Sequence, residues 1–466
     1  MTAPHRFHPS ILREYDIRGV VGETLFESDA HALGRSFAAV LREGGGQRVV
    51  VGRDGRLSSP MLEAALVAGL VAGGVEVVRI GLAATPMLYF AEASTPQVDG
   101  GIQVTGSHNP RDHNGFKMVL GGRPYFGPDI ARLGQLAAAG DWGSATVVGR
   151  IEERDVLPAY IERLLDGLAG VDVDHLAALC IGWDAGNGAA GPALERLVAR
   201  LPGEHHLLFS EVDGRFPNHH PDPTIPANLA DLQALVAAKN LDFGVAFDGD
   251  ADRIGVIDSQ GRVIDADRLL AIYARDVLAR HPGATVIADV KASRLVFNTV
   301  AALGGEADIA PSGHSHIKSR MKETGALLGG ETSGHFFFAD DYFGYDDGLY
   351  AALRLIAAST RIGATISQLH DALPATHTTP ELRFAVPDAR KFAAVAQVRA
   401  RLEAQGARVN ALDGVRVDTP EGWWLLRASN TQAALTARAE SDTAAGLARL
   451  VAELDAHLGA VGVSRG

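Results

Sequence analysis

Phe243-Gly244-Val245-Ala246-Phe247-Asp248-Gly249-Asp250-Ala251-Asp252-Arg253 reads as an apolar strand emptying into a tight acidic turn. Residues 229–239 before it have the pattern of a helix, and 176–184 further upstream that of another strand, followed by a glycine turn at 186–191 and a helix at 192–200. Strand and helix in alternation argue for βαβ units and an α/β fold. The alternation continues on both sides. Upstream, strands are expected at 48–52, 75–80 and 100–105, with a helix at 60–73. Downstream come helices at 267–280, 293–303 and 350–358, with strands at 285–289 and 326–330.

The composition shifts twice, in the polar stretch 140–153 and around residues 374–380. Beyond the second shift, short strands paired around turns and two helices indicate an α+β unit. Three similar mixed α/β domains plus a C-terminal α+β domain around a central cleft are therefore expected, with bounds 1–150, 151–258, 259–373 and 374–466. The first three look like weak repeats, because each has a strand running into a polar turn: Val51-Gly52-Arg53-Asp54, Asp184-Ala185-Gly186 and Ala288-Asp289-Val290-Lys291.

At 466 residues the chain is too long for one core, so several domains are expected from length as well. Its 43 Lys and Arg against 56 Asp and Glu give a net charge of −13. That balance argues against nucleic acid as a partner, since phosphates demand a basic face. The single cysteine, Cys180, allows no intrachain disulfide. Residues 1–11 lack the apolar run of a secretory signal. The most apolar stretch, 64–75, is broken by glycines and is shorter than the roughly 20 residues of a membrane span. A cytoplasmic enzyme with no membrane partner is expected.

Four motifs carry chemistry. Asp248, Asp250 and Asp252 place three carboxylates at alternate positions after a buried strand, where like charges need a counter-ion and a hard cation wants oxygen ligands. An EF-hand is excluded, because Arg253 and Ser259 stand where that loop needs Gly and Glu. A solvated acidic turn is the competing reading. Thr105-Gly106-Ser107-His108-Asn109-Pro110 exposes a serine after a glycine, with Lys117 ten residues on. On the hexapeptide alone, a nucleophile and a simple capped turn stand even. Gly329-Gly330-Glu331-Thr332-Ser333-Gly334-His335 offers Glu331 and Ser333 to sugar hydroxyls and His335 for proton transfer. It is equally a turn with a surface histidine. Arg427-Ala428-Ser429-Asn430-Thr431 follows an apolar strand and suits a phosphate clamp, or a hairpin turn with an exposed arginine. Gly186-Asn187-Gly188-Ala189-Ala190-Gly191 matches a dinucleotide fingerprint, but reads better as tight strand-to-helix packing.

Taken together, and with Arg13-Glu14-Tyr15-Asp16-Ile17-Arg18-Gly19 near the start, these motifs resemble the α-D-phosphohexomutase superfamily, in particular its bacterial phosphomannomutase/phosphoglucomutase branch. The resemblance spans nearly the whole chain. It implies four domains that each donate a loop to one cleft. It implies Ser107 as a phosphoserine, with Ser107, Asp248, Asp250 and Asp252 around Mg²⁺. By the same resemblance Arg18, Lys117 and Arg253 stand near the reacting phosphate, and Tyr15, Lys291, His314 and His335 near the substrate. Glu331 and Ser333 match readers of O3 and O4, and Arg427, Ser429, Asn430 and Thr431 the distal clamp. Lys117 and His335 are candidate general acid and base. The wording Thr-Gly-Ser-His-Asn-Pro is closer to the mannose/glucose branch than to the glucosamine branch. The implied reaction interconverts hexose 1- and 6-phosphates through a hexose 1,6-bisphosphate, by a monomer or small homo-oligomer. Two rivals stay open: a metal-dependent sugar phosphatase with a serine nucleophile, and a nucleotide-binding module on Gly186–Gly191.

Overall fold

The computed structural model describes residues 4–143, 145, 148–429 and 433–464. They form four domains, each around its own sheet. The first sheet runs in the order Ile17–Val20, His113–Leu120, Gly100–Val104, Arg48–Arg53, Glu76–Leu82, Ile151–Glu153, with Arg123–Pro124 paired to its second strand. The second runs Val263–Ile264, Ile254–Asp258, Phe243–Phe247, Cys180–Asp184, Glu204–Leu208. The third runs Glu306–Ala310, Thr285–Asp289, Leu328–Gly330, Phe336–Phe338.

These three sheets share one plan. Their central strands are parallel and the last one returns antiparallel: Gly100–Val104 against His113–Leu120, Phe243–Phe247 against Ile254–Asp258, and Leu328–Gly330 against Phe336–Phe338. Every residue of Gly100–Val104 and Phe243–Phe247 is buried, as strands covered on both faces require. The serine, acidic and Glu331 motifs each fill the connection between parallel strand and antiparallel return. The weak repeat of the sequence is thus a repeat of topology, and it delivers three loops from equivalent strand ends, where α/β sheets bind ligands.

Two expected boundaries fall short. Ile151–Glu153 pairs in parallel with Glu76–Leu82, so the first sheet continues past residue 150. Val263–Ile264 pairs with Ile254–Asp258, so the second continues past 258. The domains lean on one another through a shared core. Phe90 packs on Tyr160 at 5.7 Å, and the Gly348–Ile362 helix is buried from Gly348 through Ser359.

The C-terminal domain is an antiparallel sheet in the order His377–Thr378, Ala434–Ser441, Gly422–Ala428, Val415–Thr419, Val409–Asn410, with Leu382–Ala385 continuing along the same edge of Ala434–Ser441 as His377–Thr378. The Asp388–Ala404 and Ala444–Ala460 helices pack on one face over Val415, Val417, Trp424, Leu426 and Leu435. Among the described residues no helix is long and apolar enough to cross a membrane.

Candidate active site

The serine loop is built by its own backbone. Ser107 adopts a left-handed conformation, φ 49°, which a non-glycine residue holds only when its surroundings impose it. Asp54 accepts from Thr105 Oγ1 at 2.8 Å and from Gly106 N at 3.0 Å. The buried Arg56 donates to the carbonyls of Ser107 at 2.7 Å and of Asn109 and Pro110 at 2.6 Å. A cationic fork thus ties the loop down from beneath.

The acidic loop meets it from the second domain. Ala251 is also left-handed, φ 62°. Gly249 has no side chain for a spatial reason: a Cβ there would lie 2.4 Å from the Ser107 carbonyl oxygen. The two loops therefore touch, and Ser107 Oγ donates to Asp248 Oδ2 at 2.9 Å. Asp248, Asp250 and Asp252 are fully buried, and each offers an oxygen within 4.8 Å of the others. Lys117 bridges Asp250 at 2.8 Å and Asp252, and Thr85 Oγ1 donates to Asp250. Burial, then Asp250 and Asp252, push the Asp248 carboxyl well above its ordinary range. Burial and Asp252 also work against ionised Asp250, but Lys117 and Thr85 prevail and hold it below its usual value. Asp250 Oδ1 is buried with no hydrogen-bond partner among the described residues. Three carboxylates, whose charge the Lys117 ammonium only partly offsets, and an orphaned oxygen fit a hard divalent cation.

The third domain faces this pair across a cleft of about 580 Å³. Glu331 Oε1 accepts from Gly313 N at 2.7 Å, and its Oε2 lies 3.0 Å from His335 Nδ1. Ser333 Oγ is 3.0 Å from the same nitrogen. His335 Nε2 is 3.2 Å from Asp252, so one imidazole links the Glu331 motif to the acidic trio. Burial pulls His335 down, but Asp252 and Glu331 outweigh it and push its pKa up to about 9. His314 stacks on His335 with centroids 5.5 Å apart and lies 3.1 Å from Asp346. Lys291 stands 3.6 Å from Asp289.

Because the folded-state value lies above the ordinary 6.5, protonated His335 stabilises the fold fully below about pH 6.5, and this contribution disappears as pH rises through about 9. Metal-free protein should lose stability over that window, and His335→Gln should flatten the loss. Thermal melts at stepped pH check it.

The C-terminal domain closes the cleft with Arg427 and Ser429. Arg427 Nη2 pairs with Asp413 at 2.9 Å, while its Nε is buried without a hydrogen-bond partner among the described residues. Tyr15, Arg18, Ser107, Lys117, Arg253, Lys291, His314, Glu331, Ser333, His335, Arg427 and Ser429 all line this one cleft. Tyr15 donates to the Ser312 carbonyl at 2.7 Å, tying the first domain to the third. Asn430 and Thr431 lie outside the described residues. Arg56, Thr85, Asp346 and Asp413 escaped sequence reasoning, since each stands alone far along the chain from what it holds.

The glycine-rich turn at Gly186–Gly191 is not a phosphate cradle. Gly186 N donates to Asp184, Asn187 N to Phe209 O, Gly188 N to Ala185 O and Ala189 N to Gly249 O. These four amides are spent, and the last of these bonds supports the acidic loop from behind. A Cβ on Gly188 would strike the Gly249 carbonyl at 2.8 Å.

Comparison with known proteins agrees with this arrangement. Residues 9–142, 158–261 and 265–377 match the alpha/beta/alpha domains I, II and III of phosphoglucomutase/phosphomannomutase, and 381–457 match its C-terminal domain. The chain belongs to the phosphoglucomutase/phosphomannomutase family. It is 43% identical over 441 residues to a phosphomannomutase/phosphoglucomutase of Pseudomonas aeruginosa, covering 95% of this chain and 94% of that one. It is also 43% identical over 442 residues to a phosphoglucomutase of Neisseria gonorrhoeae, covering 94% and 95%. The crystal structure of a phosphoglucomutase/phosphomannomutase family protein from Burkholderia thailandensis superposes with a TM-score of 0.91 at 42% identity, covering 98% of this chain and 99% of that one. In this chain the four family domains correspond to the four sheets, each contributing to the cleft.

Proposed function

We propose that the chain interconverts the 1- and 6-phosphates of mannose and glucose through a phosphorylated Ser107 and a hexose 1,6-bisphosphate. The observation that carries this is the 2.9 Å contact of Ser107 Oγ with Asp248, at the floor of a cleft lined by all four domains. A hydroxyl that lines a sugar-sized cavity and touches a buried acidic trio beneath it is the constellation that phosphoryl transfer requires. Mg²⁺ held by Asp248, Asp250, Asp252 and Ser107 would neutralise the oxygens of the transferring group.

Phosphoserine 107 gives its phosphoryl group to the free sugar hydroxyl. The bond to Oγ breaks and a bond to the sugar oxygen forms. The hydroxyl loses a proton, and Oγ takes one up. Arg18, Arg253 and Lys117 supply fixed positive charge around the transfer. Lys117 and His335 both carry protons at neutral pH in the metal-free arrangement, which suits the donor role. Burial lowers the affinity of Lys117 for its proton, and the three aspartates more than restore it.

The bisphosphate then turns over, and its other phosphate returns to Ser107. Glu331 and Ser333 serve both orientations by holding O3 and O4, and Arg427, Ser429, Asn430 and Thr431 grip whichever phosphate is distal. Arg427 brings to that task a buried Nε still without a partner among the described residues. Lys291, His314 and Tyr15 complete the sugar contacts. Small phosphosugars are the partners, and the working form is a cytoplasmic monomer or small homo-oligomer.

Glucose 1-phosphate with Mg²⁺ and a trace of glucose 1,6-bisphosphate should yield glucose 6-phosphate. Stoichiometric inorganic phosphate in its place would make the protein a phosphatase.

A further inference from the structure

The polar face of the C-terminal sheet does more than present a phosphate clamp. Side chains alternate along its strands, and one face carries the apolar core described above. On the other face the register sets Arg416 opposite Leu425 and Leu425 opposite Arg438, with Asp418, Trp423 and Glu440 in the next row. Arg427 follows on the same face, two residues beyond Leu425.

This face meets the segment that joins the Thr285–Asp289 strand to the Arg294–Ala302 helix, which carries Lys291 into the cleft. Arg416 Nη1 donates to the carbonyls of Val290 at 2.7 Å and Ala292 at 2.8 Å. Arg438 Nη1 donates to the carbonyl of Lys291 at 3.0 Å, and its Nη2 to Asp267 at 2.8 Å. Three successive carbonyls of one domain are thus held by two guanidinium groups of another. Glu440 Oε1 adds the next link, accepting from Arg294 N and Trp423 Nε1, both at 3.0 Å. Val290, Trp423 and Leu425 close an apolar contact beside them, and the Arg416 guanidinium lies 3.9 Å from the Trp423 ring centre.

We propose that Arg416 and Arg438 are positioning residues that fix Lys291 to the C-terminal domain, so that the lysine and the Arg427 clamp move as one body. Charge-assisted bonds to buried carbonyls are strong, and leaving such carbonyls unpaired is costly. The segment has no ladder partner for these three oxygens within its own sheet, whose parallel pairing ends at Asp289 and Ala310. A substrate phosphate that draws in the clamp therefore also sets the lysine at the sugar.

The proposal rests on the mutase reading only for its kinetic arm. Arg416→Lys and Arg438→Lys keep the charge and lose the fork. In full-length, substrate-free protein, amide exchange at residues 290–293 should accelerate about tenfold in each variant, with the serine loop unchanged. Mutase kcat/KM should fall about tenfold, whereas in a Lys291→Ala background the same substitutions should cost less than about twofold. Unchanged exchange at 290–293, or an equal kinetic loss in both backgrounds, would overturn the proposal. Circular dichroism verifies folding. If one variant unfolds the other decides, and unfolding of both would also overturn it by making the pair structural. Should the wild-type protein prove to be no mutase, the exchange rates at 290–293 still decide whether the two arginines hold the segment.

Discussion

Replacing Ser107 by alanine is expected to lower mutase turnover by at least about 10⁴-fold, because an essential nucleophile has no substitute in a covalent route. The fold should survive. The loop is held by Asp54, Arg56 and the Thr105 hydroxyl, which all bind backbone atoms and not the Ser107 side chain. What the variant loses in the resting protein is the hydrogen bond to Asp248 and the 3.1 Å contact with His108 Nδ1, together a matter of about 2 kcal/mol against a domain's total. Steady-state assay beside a thermal melt separates the two effects. Turnover within about tenfold of wild type would mean that the phosphoryl group travels another way.

Asp248→Asn should stabilise the metal-free protein and forfeit most of the stabilisation that Mg²⁺ brings. In the folded state burial and the other two aspartates raise this carboxyl well above its ordinary value. Ionised, it therefore costs stability at neutral pH, and the cost is relieved as pH falls through the raised value. Asparagine removes that charge at every pH. Its amide oxygen can still accept from Asp252 N and Arg253 N, which bond Asp248 Oδ1 at 3.1 and 3.2 Å. Wild-type protein should gain about 2.7 kcal/mol at a hundredfold excess of Mg²⁺ over its Kd. The variant should gain almost none, and turnover should drop with it. Paired melts in EDTA and in Mg²⁺ read this out. An undiminished metal-dependent shift would remove Asp248 from the cation site.

The candidate loops were legible in the sequence because each motif is local. A strand end, a glycine and two or three polar residues suffice to mark the Ser107, Asp248 and Glu331 loops, and a continuous apolar run marks the strand before Arg427. That they face one cleft was implied only by resemblance. The geometric reason lies in the sheets, where three loops occupy the same point between a parallel strand and its antiparallel return. Ile151–Glu153 was missed as a strand because three exposed residues in a polar stretch carry no periodic signal. Arg56 and Asp413 were missed for a different reason. Arg56 binds carbonyls some fifty residues away, and Asp413 accepts from Ser312 N at 3.1 Å in another domain. The glycine turn at 186–191 shows the converse. Its pattern suits a phosphate, but its amides bind the chain itself.

Transfer of label tests the central claim most directly. Protein charged at Ser107 with an isotopically marked phosphoryl group, freed of excess donor and mixed with glucose 1-phosphate, should pass the mark to glucose 1,6-bisphosphate and glucose 6-phosphate within a turnover. Peptide mapping should find it on Ser107 beforehand and nowhere else. Release of the mark as inorganic phosphate at the turnover rate, or its retention on the protein while product forms, would contradict the account.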